Sequence, residues 1–176
     1  STVVTLDGAD VTVLRHGAIT VEQLAGVEGI RIADDGTSVD SPASPGHEKR
    51  HYSPSTPTVA VRGNSIDFAS TSGPELGAAT SVIYAGYSDR EPELPSTWRF
   101  EPLGSLAEIE AVGHDLYFEL RRIDVLTAAA IVVELTGAPG LGRAIDDRLT
   151  RAAGSTIAST SAELAKVIAE ATATHD

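Results

Sequence analysis

The chain has no cysteine, which excludes a disulfide framework, a thiolate metal site and a thiol nucleophile. Positive charge is also scarce. There are 13 Lys and Arg residues against 25 Asp and Glu, for a net charge of −12. Nucleic-acid binders usually carry a basic stripe that releases counterions from phosphates, so no generic nucleic-acid binding is expected. Only Lys49 and Lys166 are lysines, an arginine skew that fits GC-rich coding and, with the acidic excess, a halophilic host. Long apolar runs are missing as well. The uncharged stretch Val125–Val133 spans nine residues, against the ~20 a bilayer-crossing helix needs. Ser1-Thr2-Val3-Val4-Thr5 has neither the basic start nor the apolar core of a signal peptide. A soluble protein without a membrane span is expected, in a virion or the cytoplasm.

What is present describes a globular chain. With 176 residues, 41% hydrophobic and 22% charged, it can bury one ordinary core without a partner. Residues 41–57 hold four prolines among serines and form the one linker-like stretch. A boundary there would leave an N-terminal piece too small for a core of its own, so a single domain over 1–176 with a long Ser/Pro-rich loop at 41–57 is expected.

Turn residues at close intervals punctuate the first hundred positions. Val3 to Leu6 and Val11 to Leu14 flank Asp7-Gly8-Ala9-Asp10. Ile30 to Ile32 leads into Asp34-Asp35-Gly36, and Val59 to Val61 meets Ile66 to Phe68 across Gly63-Asn64. These read as hairpins. Further strands are predicted at Thr80–Tyr87, Thr97–Glu101 and Asp115–Ile123, the last with Leu116, Phe118 and Leu120 on one face.

Helix starts are marked by capping boxes at Thr20–Gln23, Ser105–Glu108 and Thr160–Glu163. Asp124 is placed to cap a helix running through Leu135, Gly113 to end the one begun at Ser105, and Gly142–Ala153 to form an amphipathic helix. The expected fold class is α+β: an antiparallel β-sheet or sandwich in the N-terminal two-thirds, with helices gathered at the C-terminus.

Four segments carry the residue types of known chemistry. His47-Glu48-Lys49-Arg50-His51 resembles the zincin metallopeptidase motif, in which a helix sets two imidazoles on one zinc ion and a glutamate activates bound water. It lies between Pro45 and Pro54, room for two helical turns at most, and the distant Glu75 falls beside Pro74. Leu14-Arg15-His16-Gly17 resembles the histidine phosphatases, whose imidazole attacks phosphorus beside an arginine, with His114 standing for the second histidine. Gly137-Ala138-Pro139-Gly140-Leu141-Gly142-Arg143-Ala144 resembles a phosphate-binding P-loop. Arg143 and Ala144 replace its Lys and hydroxyl residue, and the preceding stretch reads as helix, which makes an interhelical turn. Ser1 could serve as an N-terminal nucleophile, but no constellation accompanies it. Asp89-Arg90-Glu91-Pro92-Glu93 reads as a solvated turn and Trp98 as core.

These motifs do not support one another, so no catalytic, cofactor or metal site is assigned. The functional expectation is a non-enzymatic assembly subunit of a homo-oligomeric particle, of viral capsid, tail or shell type, whose partners are copies of itself and other assembly proteins. The alternatives are a zinc-dependent hydrolase using His47, Glu48 and His51, a phosphatase using Arg15, His16 and His114, and a small protein-binding adaptor.

Overall fold

In the computed structural model, residues 1–34, 53–63, 66–68, 71 and 80–173 are described. The chain opens with the expected hairpin: β1 (Val3–Asp7) pairs antiparallel with β2 (Asp10–Arg15). Gly8 takes the left-handed conformation that the tight turn requires, with φ +59°. A short helix, α1 (Val21–Ala25), follows. Its cap Thr20 accepts from the Gln23 N–H while the Gln23 side chain accepts from the Thr20 N–H, as the sequence predicts. The chain then returns in β3 (Arg31–Asp34), which runs parallel to β2.

The rest builds a second sheet. Its strands are β4 (Thr58–Arg62), β5 (Val82–Gly86), β6 (Trp98–Pro102), β7 (Ala130–Leu135) and β8 (Ile157–Ala158). They lie in the order β6-β5-β7-β4-β8, and every neighbouring pair is parallel. After a single 3-10 turn at Leu106–Glu108, α2 (Ile109–Asp124) joins β6 to β7; α3 (Leu141–Ala152) joins β7 to β8, and α4 (Ser161–Ala173) closes the chain.

Helices cover both faces of this sheet. Ile83, Ile131 and Val133 pack against Val112, Leu116 and Leu120 of α2 and Ile145 and Leu149 of α3. On the other face, Val59, Tyr84 and Val132 meet Leu164 and Ile168 of α4, together with Ile66 and Phe68. Burying each such aliphatic side chain contributes about 1.5–3 kcal/mol. A sheet covered on both faces buries every position of its central strands, and all of β5 and β7 is buried.

That burial corrects the antiparallel expectation. The alternation read at 58–68 is not a hairpin, because β4 has β7 on one side and β8 on the other and no edge left for Ile66–Phe68. Asp115–Ile123 is helix, not strand: Leu116 and Leu120, one turn apart, are buried, while Phe118 is 67% exposed. Gly113 lies within α2, close against Leu141, and does not end it. The predicted helix through Leu135 is the central strand β7.

Two expected caps form with altered partners. Ser105 Oγ accepts from the Ala107 N–H in place of that of Glu108, and the Asp89 carboxylate accepts from the Leu106 N–H. At α4, Thr160 Oγ1 accepts from the Glu163 N–H, and the Glu163 carboxylate accepts from the Ser159 N–H.

Asp124 ends α2 and holds the entry to β4. Its carboxylate accepts from the N–H groups of Ser55 and Thr56 and from the Ser55 hydroxyl, each at 2.9 Å. Ser53 and Pro54 line a cleft of about 60 Å³ with Tyr117, Leu120 and Arg121 beside it. Burial alone would raise the Asp124 carboxyl, but these donors outweigh it and hold it below the usual carboxylate range.

Leu116→Ala is expected to cost about 2–5 kcal/mol in urea unfolding and Phe118→Ala no more than ~0.5; equal losses would contradict the helix. Because the folded-state pKa of Asp124 is depressed, its contribution is present above the unfolded carboxyl value of ~3.9 and lost as pH falls through the folded value. Asp124→Asn should therefore cost on the order of 1 kcal/mol at neutral pH, allowing for partial exposure. It should also flatten the acid limb of a urea-midpoint profile.

Candidate functional site

The site is set by where the connections leave the sheet. After β4 and β5 the chain carries Ile66, Phe68 and Leu94 to one face. After β7 it crosses to the opposite face, where Ile145 and Leu149 of α3 pack. Connections that diverge between neighbouring parallel strands open a crevice at their carboxyl ends. Here that point is the end of β7, between the ends of β4 and β5, and a buried polar cluster occupies it.

Glu134, next to last in β7, is 2% exposed. A Cβ on Gly63 would overlap its Oε1, and one on Gly86 would sit 2.9 Å from its Oε2, so the glycine that follows β4 and the one that ends β5 leave the space that the carboxyl group fills. Arg90, from the loop after β5, places Nη2 3.2 Å from Glu134 Oε1 and donates to the Thr136 carbonyl at 3.2 Å. Its guanidinium lies 5.3 Å from the centre of the Tyr87 ring. The Tyr87 hydroxyl donates to the Glu134 carbonyl.

Burial raises the Glu134 carboxyl above its ordinary range, with the Tyr84 hydroxyl and Arg90 pulling the other way. Both tyrosine hydroxyls are pushed upward, chiefly by burial and further by the nearby carboxylates. Two buried atoms of the cluster have no hydrogen-bond partner: Arg90 Nε and Glu134 Oε2.

The glycine loop after β7 corrects the interhelical turn, since it joins a strand to a helix. Gly137 and Gly140 have φ of +64° and +63°. Yet the loop is filled by the protein itself. The Asp146 carboxylate accepts from the N–H groups of Thr136 at 2.6 Å and Gly137 at 3.1 Å, and burial raises this carboxyl too. The Ala138 N–H donates to Thr136 Oγ1. A Cβ at Gly142 would lie 2.7 Å from that of Ala138. An internal carboxylate thus occupies the amides that a phosphate-binding loop would turn toward its ligand. Arg143 pairs instead with Glu22 of α1 at 2.9 Å, and Thr20 Cγ2 lies 3.7 Å from a Cβ built on Gly140. This contact ties the first sheet to the second.

Among the described residues, the sequence-derived candidates are not brought together. His47, Glu48, His51 and Glu75 lie outside the described residues; among the described residues no group of three or more His, Asp or Glu could hold a metal ion. Arg15 donates from Nε and Nη2 to the Ser1 carbonyl and hydroxyl, both at 3.0 Å, and His16 follows β2 in the first sheet. His114 sits mid-helix on α2 with its side chain 86% exposed and paired with Asp115. It faces solvent, not a cleft shared with His16. Trp98 is core, as expected.

Arg90 was hidden in a turn that reads as solvated. Glu134 carried a signal, however: a lone carboxylate in the apolar run Ala130–Leu135 is costly unless partnered.

Residues 19–154 match the family described as threonylcarbamoyl-AMP synthase, C-terminal domain. The chain is 32% identical over 149 residues to the threonylcarbamoyl-AMP synthase of Bacillus subtilis, covering 80% of this chain and 41% of that protein. With the Pyrococcus abyssi enzyme of the same name it shares 31% over 163 residues, covering 88% and 45%. The chain thus spans less than half the length of these relatives. The crystal structure of P. abyssi Sua5 complexed with L-threonine superimposes with a TM-score of 0.61 at 25% identity, over 89% of this chain and 46% of that one. A double-substituted variant of that protein gives 0.62 at 23% identity, a likeness of fold.

These findings overturn the expected viral capsid, tail or shell subunit, with its hydrolase and adaptor alternatives, because the relatives are synthases. The sheet built by β4 to β8 is covered on both faces by the chain's own helices. By the extent and identity of these matches, the chain belongs to the family of threonylcarbamoyl-AMP synthase C-terminal domains.

Proposed function

We propose that this chain is the C-terminal half of a threonylcarbamoyl-AMP synthase, an enzyme of tRNA modification, and that it assists adenylate formation carried out elsewhere in the protein. The observation that carries this reading is one of coverage: 80–88% of the chain aligns, yet only 41–45% of each relative. The cluster at Glu134 also contains no paired nucleophile and base, so it does not by itself resemble a centre for making an acyl phosphate.

The assisting role falls to the segment between the two sheets. Lys49 and Arg50 are adjacent bases in a chain of net −12, and a product joining a carbamoyl group to AMP carries phosphate. Asp124 fixes the segment's downstream end at Ser55 and Thr56, while Glu22 and Arg143 fix the first sheet against the β7–α3 loop. In this reading the α/β unit is an anchor that sets how far Lys49 and Arg50 reach. The acidic surface keeps this half from being the tRNA-binding surface.

The test is synthesis of threonylcarbamoyl-AMP by the full-length protein. Lys49→Ala combined with Arg50→Ala should lower kcat/KM for ATP roughly 10- to 100-fold, as loss of charge-assisted phosphate contacts does, without changing the unfolding midpoint. The 176-residue chain alone should make no product. Unchanged kinetics in the double variant, or synthesis by this chain alone, would overturn the reading.

A further inference from the structure

Helix α2 carries apolar residues on two opposite faces, and the core uses one of them. Val112, Leu116, Leu120 and Ile123 are buried against the sheet. On the other side Ala111, Phe118 and Val125 recur at intervals of seven residues, and all three are exposed. Val125 caps the helix with φ −82° and ψ −5°, still helical backbone, so the stripe continues through it. Among the described residues Val125, at 77%, and Phe118, at 67%, are the two most exposed large apolar side chains. Apolar residues scattered singly on a surface need no partner. Two of them aligned at the seven-residue repeat of a helix–helix seam do call for one.

The charges on this face select the partner and its direction. Glu110 and Asp115 precede Phe118, whereas Arg121 and Arg122 follow it. A second copy of α2 laid parallel would set acid against acid and arginine against arginine. Laid antiparallel about Phe118, it sets the acidic half against the basic half and opposes the two helix dipoles. Ala111 then lies against the partner's Val125, a small side chain opposite a larger one. Asp115 already pairs with His114, and Arg122 with Glu101 and Glu119, within the chain, so these charges set orientation more than strength. Two chains of net −12 repel one another, but at physiological ionic strength that repulsion is screened beyond about 8 Å.

We infer that the outer face of α2 is the contact surface of a twofold dimer of this chain, antiparallel about Phe118. Such a contact is isologous and closes at two copies. It rests on α2 alone and is independent of the proposed role in adenylate formation. One helix from each copy buries less than the ~1,200 Å² of a standard interface, so a dissociation constant of about 10–100 µM is expected.

The test is sedimentation equilibrium of the 176-residue chain from about 1 to about 300 µM, a range that brackets this affinity. The weight-average mass should climb from one chain toward two, and Phe118→Glu should weaken association about tenfold or more. Should Phe118→Glu not fold, Phe118→Ala, which costs little folding stability at an exposed position, decides in its place. The chain has no cysteine, so direction can be read from disulfides. Ala111→Cys mixed with Val125→Cys should give the mixed disulfide in preference to either self-disulfide, because like positions of an antiparallel pair stand about 20 Å apart. The dimer should persist in the full-length protein. A single-chain mass throughout the range, association unchanged in the folded Phe118 variant, or preferred self-disulfides would overturn the inference. So would a monomeric full-length protein in which the remaining half covers Phe118.

Discussion

A carboxyl group buried inside the central strand of a parallel sheet constrains everything around it. Glu134 is taken out of water by β4 and β5 on either side, and the penalty falls on its charged form. Arg90 and the Tyr84 hydroxyl offset part of that penalty. The backbone yields too, since Gly63 and Gly86 leave the space the carboxyl fills. Arg90 is in turn held by the Thr136 carbonyl and the Tyr87 ring, so the pair draws the carboxyl ends of β5 and β7 into one polar cluster. A pair buried this far adds little net stability against an apolar replacement, but removing one partner strands the other.

The second constraint is between sheets. The three-stranded sheet and the five-stranded sheet meet where α1 docks on the β7–α3 loop, through Glu22 and Arg143. An exposed ion pair of this kind contributes little energy; its value is positional. On the far side, Asp124 closes two backbone N–H groups and a hydroxyl over the C-terminal end of α2. Two described anchors therefore flank residues 35–52 in the sequence.

The catalytic look-alikes in the sequence show how little a short motif carries without its context. The glycine loop does join a strand to a helix, as a phosphate loop must, yet Asp146 from its own helix accepts from the amides. The phosphatase trio is spread over a hairpin sheet and the exposed side of α2, where His114 pairs with its chain neighbour. In each case the residue types are right and the partner group in space is a different one.

Local features were legible in the sequence. The β1–β2 hairpin follows from Asp7-Gly8, the α1 box from Thr20 and Gln23, and α3 from the spacing of Ile145 and Leu149, because each depends on contacts within a few residues. Strand positions at β5 and β6 were legible for the same reason. Strand direction was not, because an apolar run such as Ala130–Leu135 has no period to distinguish a doubly covered strand from a helix. The parallel order β6-β5-β7-β4-β8, and with it the meeting of Glu134, Arg90, Gly63 and Gly86, was decided only in the tertiary structure. These residues are far apart in the chain, and they meet only because parallel pairing sets β7 between β4 and β5.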